Sequence, residues 1–384
     1  MSDSDTQKTL WALLFGNLVI GTGVLLPAGM LNTLTADLNA GAASAGLMMT
    51  VGGIVVGFGA PILAGLTSRI DRRMLLAGAL LLFAIGHAAS AFATNLNVLL
   101  GLRALTVIGA AIFTPQAAAT IGLLVPPEKR GAAIGFIFIG WSLASVAGIP
   151  LGALLGEALG SKATFGLMAL LALSAFVAVS FIIPSGLKVL PLQLSSWLAV
   201  LHNRKLILVL LVTLCAMSGQ FVMFTYLAPI LKVAYALSSQ SIAMIFFASG
   251  LAGVGGSMLA SRYVGRFGAD KSVFFALSAV ALGLCAVAAG WGNPIAFLIG
   301  ASLWSAGGFA SNSVQQGRLV GIAPALASAT VALNSSFVYF GQSVGSATGS
   351  RLISTGANIQ MPLAGLAFII AGIILSYAAS RSAA

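Results

Sequence analysis

Residues 65–76 read GLTSRIDRRMLL and place four charged side chains within the five positions from Arg69 to Arg73. The stretches on either side are almost free of charge. Only 7% of the 384 residues are charged, against about 25% in an ordinary soluble domain. A chain with so few charges cannot cover a water-facing surface, so we expect lipid to solvate most of it. The charged stretch therefore predicts a water-facing connector between two membrane spans.

Apolar runs of about 20 residues, the length that crosses a bilayer, occur twelve times along the chain. They cover approximately residues 10–32, 43–66, 74–93, 96–123, 131–155, 163–183, 206–231, 240–261, 272–291, 294–317, 325–350 and 361–379. With a cytoplasmic N-terminus, 14 of the 18 basic residues fall in cytoplasmic segments, three fall on the opposite side, and Arg103 lies within a span. This bias follows the positive-inside rule and places both termini in the cytoplasm. It also accounts for the net charge of +11 without nucleic acid as a partner.

A second connector, SRYVGRFGADKS, occupies residues 261–272 and indicates an internal repeat. A shift of 197 positions brings Arg69 onto Arg266 and aligns the glycine-rich fifth and eleventh spans. Parallel six-span repeats are one known transporter design. We therefore predict an all-α integral membrane protein whose twelve helices form two pseudo-symmetric six-helix bundles. The predicted parts are an N-terminal bundle at 1–183, a cytoplasmic linker at 184–205 and a C-terminal bundle at 206–384.

Four stretches resemble motifs of the major facilitator superfamily, and within it the twelve-helix drug and sugar efflux branch of proton antiporters, near the arabinose-efflux permeases. The motif-bearing positions are Leu66, Arg69, Arg72 and Arg73 in the first connector, Arg103 in LRALTVIGAA, Gly148, Pro150 and Gly152 in GIPLGALLG, and Phe221, Thr225, Tyr226 and Pro229 in FVMFTYLAPIL. The resemblance covers nearly the whole chain. It implies the fold predicted above.

The resemblance also implies a solute cavity near the midplane, lined mainly by spans one, four, seven and ten. The candidate binding residues are Asn17, Phe113, Gln116, Trp141, Gln220, Phe224, Tyr226, Phe247, Trp304, Asn312, Gln316, Asn334 and Phe337. Aromatic faces mixed with neutral amides suit a neutral, partly apolar solute. The residues expected to serve coupling or gating are Arg103, Asp37, Arg69, Asp71, Arg72, Arg73, Gly148, Pro150, Gly152 and Arg266.

Several of these side chains allow two interpretations. Arg103, the single permanent charge expected deep in a span, either couples protons or solute, or has a structural role in which it snorkels outward or bonds to backbone carbonyls. None of the seven acidic residues lies in the middle of a span, which leaves Asp37 at the outer end of span one and Glu157 at the outer end of span five as fallback proton carriers. Because the acidic position of the connector motif is Ser68 here, Asp71 is predicted to supply the local counter-charge. His87 is expected to be a structural histidine with its hydrogen bonds satisfied.

The combined prediction is a secondary active transporter that exports a small organic solute, such as a drug, sugar or metabolite, by alternating access in exchange for protons. A proton-independent uniporter or an importer of a small neutral solute is the alternative. A polytopic membrane enzyme or receptor would need a polar cluster at one membrane face. The sequence carries no phosphate-binding Gly-Lys-Ser/Thr motif and no metal-ligand cluster. We therefore expect no enzyme activity, no cofactor and no metal, and a monomer in the inner membrane whose partners are solute, lipid and protons.

Overall fold

The computed structural model describes residues 3–188 and 194–382, and within these ranges it contains no β-strand. The helices are α1 (Asp3–Gly29), α2 (Leu31–Asp37), α3 (Ala42–Leu66), α4 (Arg72–Ser90), α5 (Leu96–Leu124), α6 (Pro127–Leu143), α7 (Ile149–Ile182), α8 (Leu194–His202), α9 (Arg204–Phe224), α10 (Leu227–Ala234), α11 (Ser239–Phe267), α12 (Ala269–Ala289), α13 (Pro294–Ile322), α14 (Ala327–Ser354) and α15 (Met361–Arg381). A π-helical turn, Ala144–Gly148, joins α6 to α7.

The helices account for the twelve predicted spans. Ten segments of the described chain are long and apolar enough to cross a membrane. One of them, Lys129–Ile182, has 54 residues and contains Gly160 at a φ of 80°, so it provides two crossings. The helix α14 is more polar but has 28 residues, which is long enough for the twelfth. The all-α, twelve-span prediction is confirmed.

Short polar side chains begin several of the helices. Asn95, Asn203 and Asn293 are the N-cap residues of α5, α9 and α13, and each side-chain oxygen accepts a backbone N–H two or three residues further on. Ser238 does the same for α11. Such caps satisfy N–H groups that have no partner inside the helix. These helices therefore begin where short polar residues separate the apolar runs.

The chain divides into two compact units. Unit 1 comprises Met1–Ala40 and Phe58–Pro191, and unit 2 comprises Gly41–Gly57 and Leu192–Ala384. The division falls within α3. The predicted domain boundaries at residues 183 and 206 stay predictions, and residues 189–193 of the predicted linker lie outside the described residues.

Each unit has its own core of packed helices. In unit 1, α1 packs on α5, α6 and α7, and α4 packs on α5 and α7. In unit 2, α9 packs on α13, α14 and α15, while α12 packs on α13 and α15. Fully buried apolar side chains such as Phe83 and Phe113 in unit 1, and Leu210 and Phe297 in unit 2, fill the spaces between these helices. These two cores hold in place the helices that carry the polar side chains described below.

Candidate functional site

Arg103 lies inside unit 1, where only 2% of its surface is exposed. Its guanidinium donates to the carbonyl oxygens of Gly23 and Val24 on α1, at N···O distances of 2.9 and 2.6 Å. The Gly23 carbonyl needs such a donor because the residue four positions later is Pro27, which has no N–H to complete the helical bond. These contacts agree with the backbone-bonded interpretation of Arg103.

His87, on α4, is a neighbour of the same segment of α1. A methyl group built on Gly23 would stand 2.7 Å from its Nε2 atom. The imidazole is 2% exposed and lies between the rings of Phe83 and Phe165, whose centroids are 4.6 and 5.9 Å away. Neither ring nitrogen has a hydrogen-bond partner among the described residues. The prediction of a histidine with satisfied hydrogen bonds was therefore wrong.

A cavity of about 210 Å³ opens within unit 1 on the same side of α4. It is lined by Asp37, Leu38, Ser90, Ala93, Thr94, Leu99, Ser161, Lys162 and Phe165. Asp37 accepts hydrogen bonds from the backbone N–H and the hydroxyl of Ser161, at 2.8 and 2.6 Å. It therefore caps the helical segment that follows the break at Gly160. Phe165 belongs both to this cavity and to the surroundings of His87.

Three neutral side chains form a hydrogen-bonded chain across α1, α5 and α6. The indole N–H of Trp141 donates to the Thr114 hydroxyl at 3.3 Å, and that hydroxyl donates to Asn17 Oδ1 at 3.0 Å. The Asn17 amide in turn donates to the Ile137 carbonyl at 3.2 Å. The structure thus brings together the predicted residues Asn17 and Trp141 through Thr114, which the sequence prediction had missed. Phe113 is fully buried against Gly16 and belongs to the core.

The connector of residues 65–76 is organised around Arg72, whose side chain is fully buried at the start of α4. Its guanidinium donates to the side-chain oxygen of Gln116 on α5 and to the carbonyls of Thr67 and Ser68, the latter two at 3.2 and 2.7 Å. Gln116 is therefore bound to the connector. By contrast, Arg69 is exposed.

Asp71 serves as the N-cap of α4. Its carboxylate accepts the backbone N–H groups of Arg73 and Met74 at 3.0 and 3.3 Å. It also accepts the N–H of Gly186, at the start of the predicted linker. The hydrogen bonds found for this carboxylate thus come from backbone groups. Its predicted role as counter-charge stays a prediction.

The stretch from Gly148 to Gly156 is packed tightly against α1 and α2. Methyl groups built on Gly148, Gly152 and Gly156 would lie 2.6–2.9 Å from side-chain atoms of these helices. Pro150 is buried and lies two residues after the end of the π-helical turn. Gly345 belongs to the equivalent stretch in unit 2, where an added methyl group would lie 2.3 Å from the Ser218 carbonyl of α9. In both units these glycines permit close helix approach.

Unit 2 contains a longer polar network. Thr213 on α9 donates to Asn334 on α14 at 2.7 Å, and it accepts from the Gln315 amide at 3.4 Å. The oxygen of Gln315 accepts from Arg318 at 3.4 Å, and Arg318 forms an ion pair with Asp270 at 2.7 Å. The network connects α9 and α14, through Gln315 and Arg318 of α13, to the start of α12.

Arg318 corrects the predicted end of the tenth span. The sequence placed it in a cytoplasmic segment after a span ending at residue 317, but it lies within α13 and is only 4% exposed. Arg72 is also buried, so Arg103 is not the single buried arginine of the described chain. Ser376 on α15 gives Arg318 two further acceptors, its hydroxyl at 3.0 Å and its carbonyl at 3.2 Å.

Tyr226 packs among small residues at the break between α9 and α10. It is fully buried, and its hydroxyl donates to the Ser346 carbonyl at 2.9 Å. The neighbouring face of α14 carries serine hydroxyls that donate to backbone carbonyls of the first part of α3, all within unit 2. These bonds are Ser343 to Thr50 at 3.0 Å, Ser346 to Gly46 at 3.2 Å and Ser350 to Ala43 at 3.0 Å.

The remaining predicted residues of unit 2 occupy varied environments. Gln220 is largely buried beside Gly308, and its amide donates to the Ala216 carbonyl at 3.0 Å. Trp304 is buried, whereas Phe224, Asn312, Gln316 and Phe337 are partly buried. Phe247 and Arg266 are exposed. The contacts of Thr213 with Asn334 and Gln315 were invisible in the sequence because they join residues 121 and 102 positions apart.

Comparisons with known sequences and structures all point to one family. The profile of the Major Facilitator Superfamily matches residues 13–350. The inner membrane transport protein YdhP of Escherichia coli (strain K12) is 28% identical over 95% of this chain and 94% of its own. A protein of Pasteurella multocida (strain Pm70) named "Probable sugar efflux transporter" is 26% identical over 93% of this chain and 88% of its own. The crystal structure of a D-xylose-proton symporter has the same fold, with a TM-score of 0.81 at 16% identity over 98% of this chain and 97% of that one. The chain, a multi-pass membrane protein, therefore belongs to the Major Facilitator Superfamily, a family of transporters.

Proposed function

We propose that the protein exports a small neutral organic solute across the inner membrane in exchange for protons. The bundles predicted at 1–183 and 206–384 would expose the solute site alternately to the two sides. Similarity to a protein named as a sugar efflux transporter supports export, and similarity to an inner membrane transport protein supports the location. The basic residues of the predicted cytoplasmic segments support cytoplasmic termini.

One observation carries the proposal for the solute. The buried and half-buried polar side chains on the spans that line the predicted cavity are mostly amides, hydroxyls and an indole. They form the hydrogen-bonded chains Asn17–Thr114–Trp141 and Thr213–Asn334. Neutral donors and acceptors can bind hydroxyl, carbonyl or amide groups of a solute. A charged solute would need an opposite charge to offset its desolvation. A sugar or a neutral drug therefore suits this lining best.

Purified protein in liposomes loaded with a pH-sensitive dye tests the exchange. A panel of sugars and neutral aromatic drugs is added outside, and solute uptake and internal pH are recorded together. Antiport predicts that at least one solute moves protons in the opposite direction. Solute entry without proton movement would instead indicate uniport, and movement in the same direction would indicate symport. Chemical conversion of a solute without transport would indicate an enzyme.

Thr114→Val tests the predicted site. The variant keeps the shape of the side chain but leaves Asn17 Oδ1 and the Trp141 N–H without their partner. We expect solute affinity to fall by about tenfold, the equivalent of one to two hydrogen bonds. Thr348→Val, at a half-buried position of α14 where the hydroxyl donates only to the Val344 carbonyl of its own helix, is the matched control and should transport normally. Equal transport by both variants would remove Thr114 from the solute site.

The predicted orientation needs its own measurement. A green fluorescent protein and an alkaline phosphatase are fused in turn to the C-terminus. Cytoplasmic termini predict a fluorescent first fusion and an inactive second one. The reverse result would invert the assignment of the basic connectors.

A further inference from the structure

A basic pocket of about 430 Å³ lies at one end of unit 2, where the starts of α9 and α12 meet the ends of α11 and α13. This end of the helices is predicted to face the cytoplasm. The pocket is lined by Lys205, Phe267, Gly268, Ala269, Asp270, Lys271, Gly317, Arg318, Gly321 and Ile322. Methyl groups built on the three glycines would meet no atom within 4 Å. The absence of side chains at these positions therefore keeps the pocket open, at a volume typical of ligand sites.

The lining of this pocket is positively charged. Lys205, Lys271 and Arg318 contribute three positive charges and Asp270 contributes one negative charge, which leaves a net charge of +2. The buried guanidinium of Arg318 pairs with Asp270 at 2.7 Å, so these two charges offset each other. Neither lysine ammonium has a hydrogen bond or an ion pair within residues 3–188 and 194–382, although Lys205 is half-buried. Two positive charges without a counter-ion favour an anionic ligand.

The start of α12 adds backbone donors to the same pocket. A shift of 197 positions aligns its N-cap, Gly268, with Asp71, the N-cap of α4 in unit 1. There the Asp71 carboxylate accepts the N–H groups of Arg73 and Met74, at 3.0 and 3.3 Å. Gly268 carries no carboxylate, and no described side chain caps α12. An anion in the pocket can therefore accept the first N–H groups of α12, as the carboxylate does in unit 1.

An exposed apolar surface borders the pocket. Three exposed rings, Tyr263, Phe267 and Phe275, form an aromatic row in which successive ring centroids are 6.2 and 5.9 Å apart. Phe267 also lines the pocket, and the guanidinium of Arg266 lies 5.7 Å from its ring centroid. Exposed rings near the ends of membrane helices contact lipid. A cationic pocket and an apolar row therefore lie side by side, in the same arrangement as the headgroup and acyl chains of a phospholipid.

We propose that this pocket binds the phosphate of an anionic phospholipid. The phosphate accepts from Lys205, Lys271 and the first N–H groups of α12, and the acyl chains lie along the aromatic row. Basic pockets between membrane helices on the cytoplasmic side are known sites for such headgroups. Free phosphate has the same charge but would leave the aromatic row without a ligand. A zwitterionic lipid would bring its own cation next to the two lysines. Lipid binding here is independent of the proposed export of a solute.

The first test removes the two unpaired charges. Native mass spectrometry in detergent measures phosphatidylglycerol binding to the double variant Lys205→Gln/Lys271→Gln. The control, Lys129→Gln/Lys188→Gln, removes two exposed lysines from predicted cytoplasmic segments of unit 1. A lysine near the membrane surface contributes roughly fivefold to the affinity for anionic lipid, so we expect binding to the pocket variant to weaken about twentyfold. The control should bind as the wild type does. Equal binding by the two double variants would overturn the proposal.

A second variant fills the pocket without changing its charge. Gly317→Leu places a side chain in the open space, and Gly255→Leu, at a glycine of α11 with equally open surroundings, is the control. We expect Gly317→Leu to bind phosphatidylglycerol at least about fivefold more weakly, because leucine occupies the space of the headgroup. Thermal unfolding gives an independent measurement, since a ligand of the folded state raises the melting temperature. Phosphatidylglycerol should stabilise Gly255→Leu more than Gly317→Leu. Equal stabilisation would refute binding in the pocket.

Competition identifies the source of the phosphate. We expect phosphatidylglycerol to stay bound to the wild type when phosphatidylcholine or inorganic phosphate is added at matched ionic strength. Displacement by inorganic phosphate would make a free anion the ligand and refute the lipid. Displacement by an equal amount of phosphatidylcholine would show that the charge of the headgroup is not recognised, and this result would also overturn the proposal.

Discussion

The clearest quantitative prediction concerns two adjacent arginines of the connector. Arg72 and Arg73 carry the same charge, but only Arg72 is fully buried. Arg72→Ala leaves the Gln116 oxygen and two main-chain carbonyls without their donor. Hydrogen bonds to charged groups contribute about 1.5–3 kcal/mol each, and relief of the buried charge offsets part of the loss. We expect the free energy of unfolding to fall by about 2–4 kcal/mol.

Arg73→Ala is the matched control, because it removes the same charge from the same connector. No hydrogen bond of the Arg73 side chain is found within the described residues, so its free energy of unfolding should change by less than about 0.5 kcal/mol. Thermal unfolding in detergent measures the difference, which corresponds to a melting temperature roughly 4–16 °C lower for Arg72→Ala. If both variants melt together, Arg72 serves only as a topology signal and the contacts of its guanidinium contribute no stability.

Three further predictions use other features of the structure. Gly256→Ala should lower the melting temperature, because its methyl group would stand 2.2 Å from a backbone carbonyl oxygen of α13. The control is Gly255→Ala, whose methyl group would contact nothing and should be neutral or stabilising. Equal melting temperatures for the two variants would contradict the close helix contact at Gly256. Trp141→Phe keeps an aromatic ring but removes the half-buried indole N–H donor, and we expect about fivefold weaker solute binding in a transport assay. Unchanged binding would place the indole outside the site. Asp71→Asn should retain stability because asparagine is also a good N-cap, whereas Asp71→Ala should lower the free energy of unfolding by about 1 kcal/mol. A loss of stability in Asp71→Asn as well would favour the counter-charge hypothesis.

The sequence by itself determined the number of spans and their approximate positions, and it indicated an internal repeat. These features depend on hydropathy and on the short polar stretches between apolar runs, which are properties of continuous segments of sequence. The break at Gly160 and the connectors at 65–76 and 261–272 all fell at or close to the predicted positions.

Only the tertiary structure decided the partners of the polar side chains. Arg318 was assigned to a cytoplasmic segment, and the sequence could not show that Asp270, nearly fifty positions earlier, lies beside it. His87 was expected to be satisfied because most buried histidines are, yet its neighbours in space are phenylalanine rings and a glycine. A hydrogen bond depends on which helices are adjacent and how each is rotated about its axis. Helix packing determines both the neighbours and the rotation of each helix, and neither can be read from the residue pattern of a single segment.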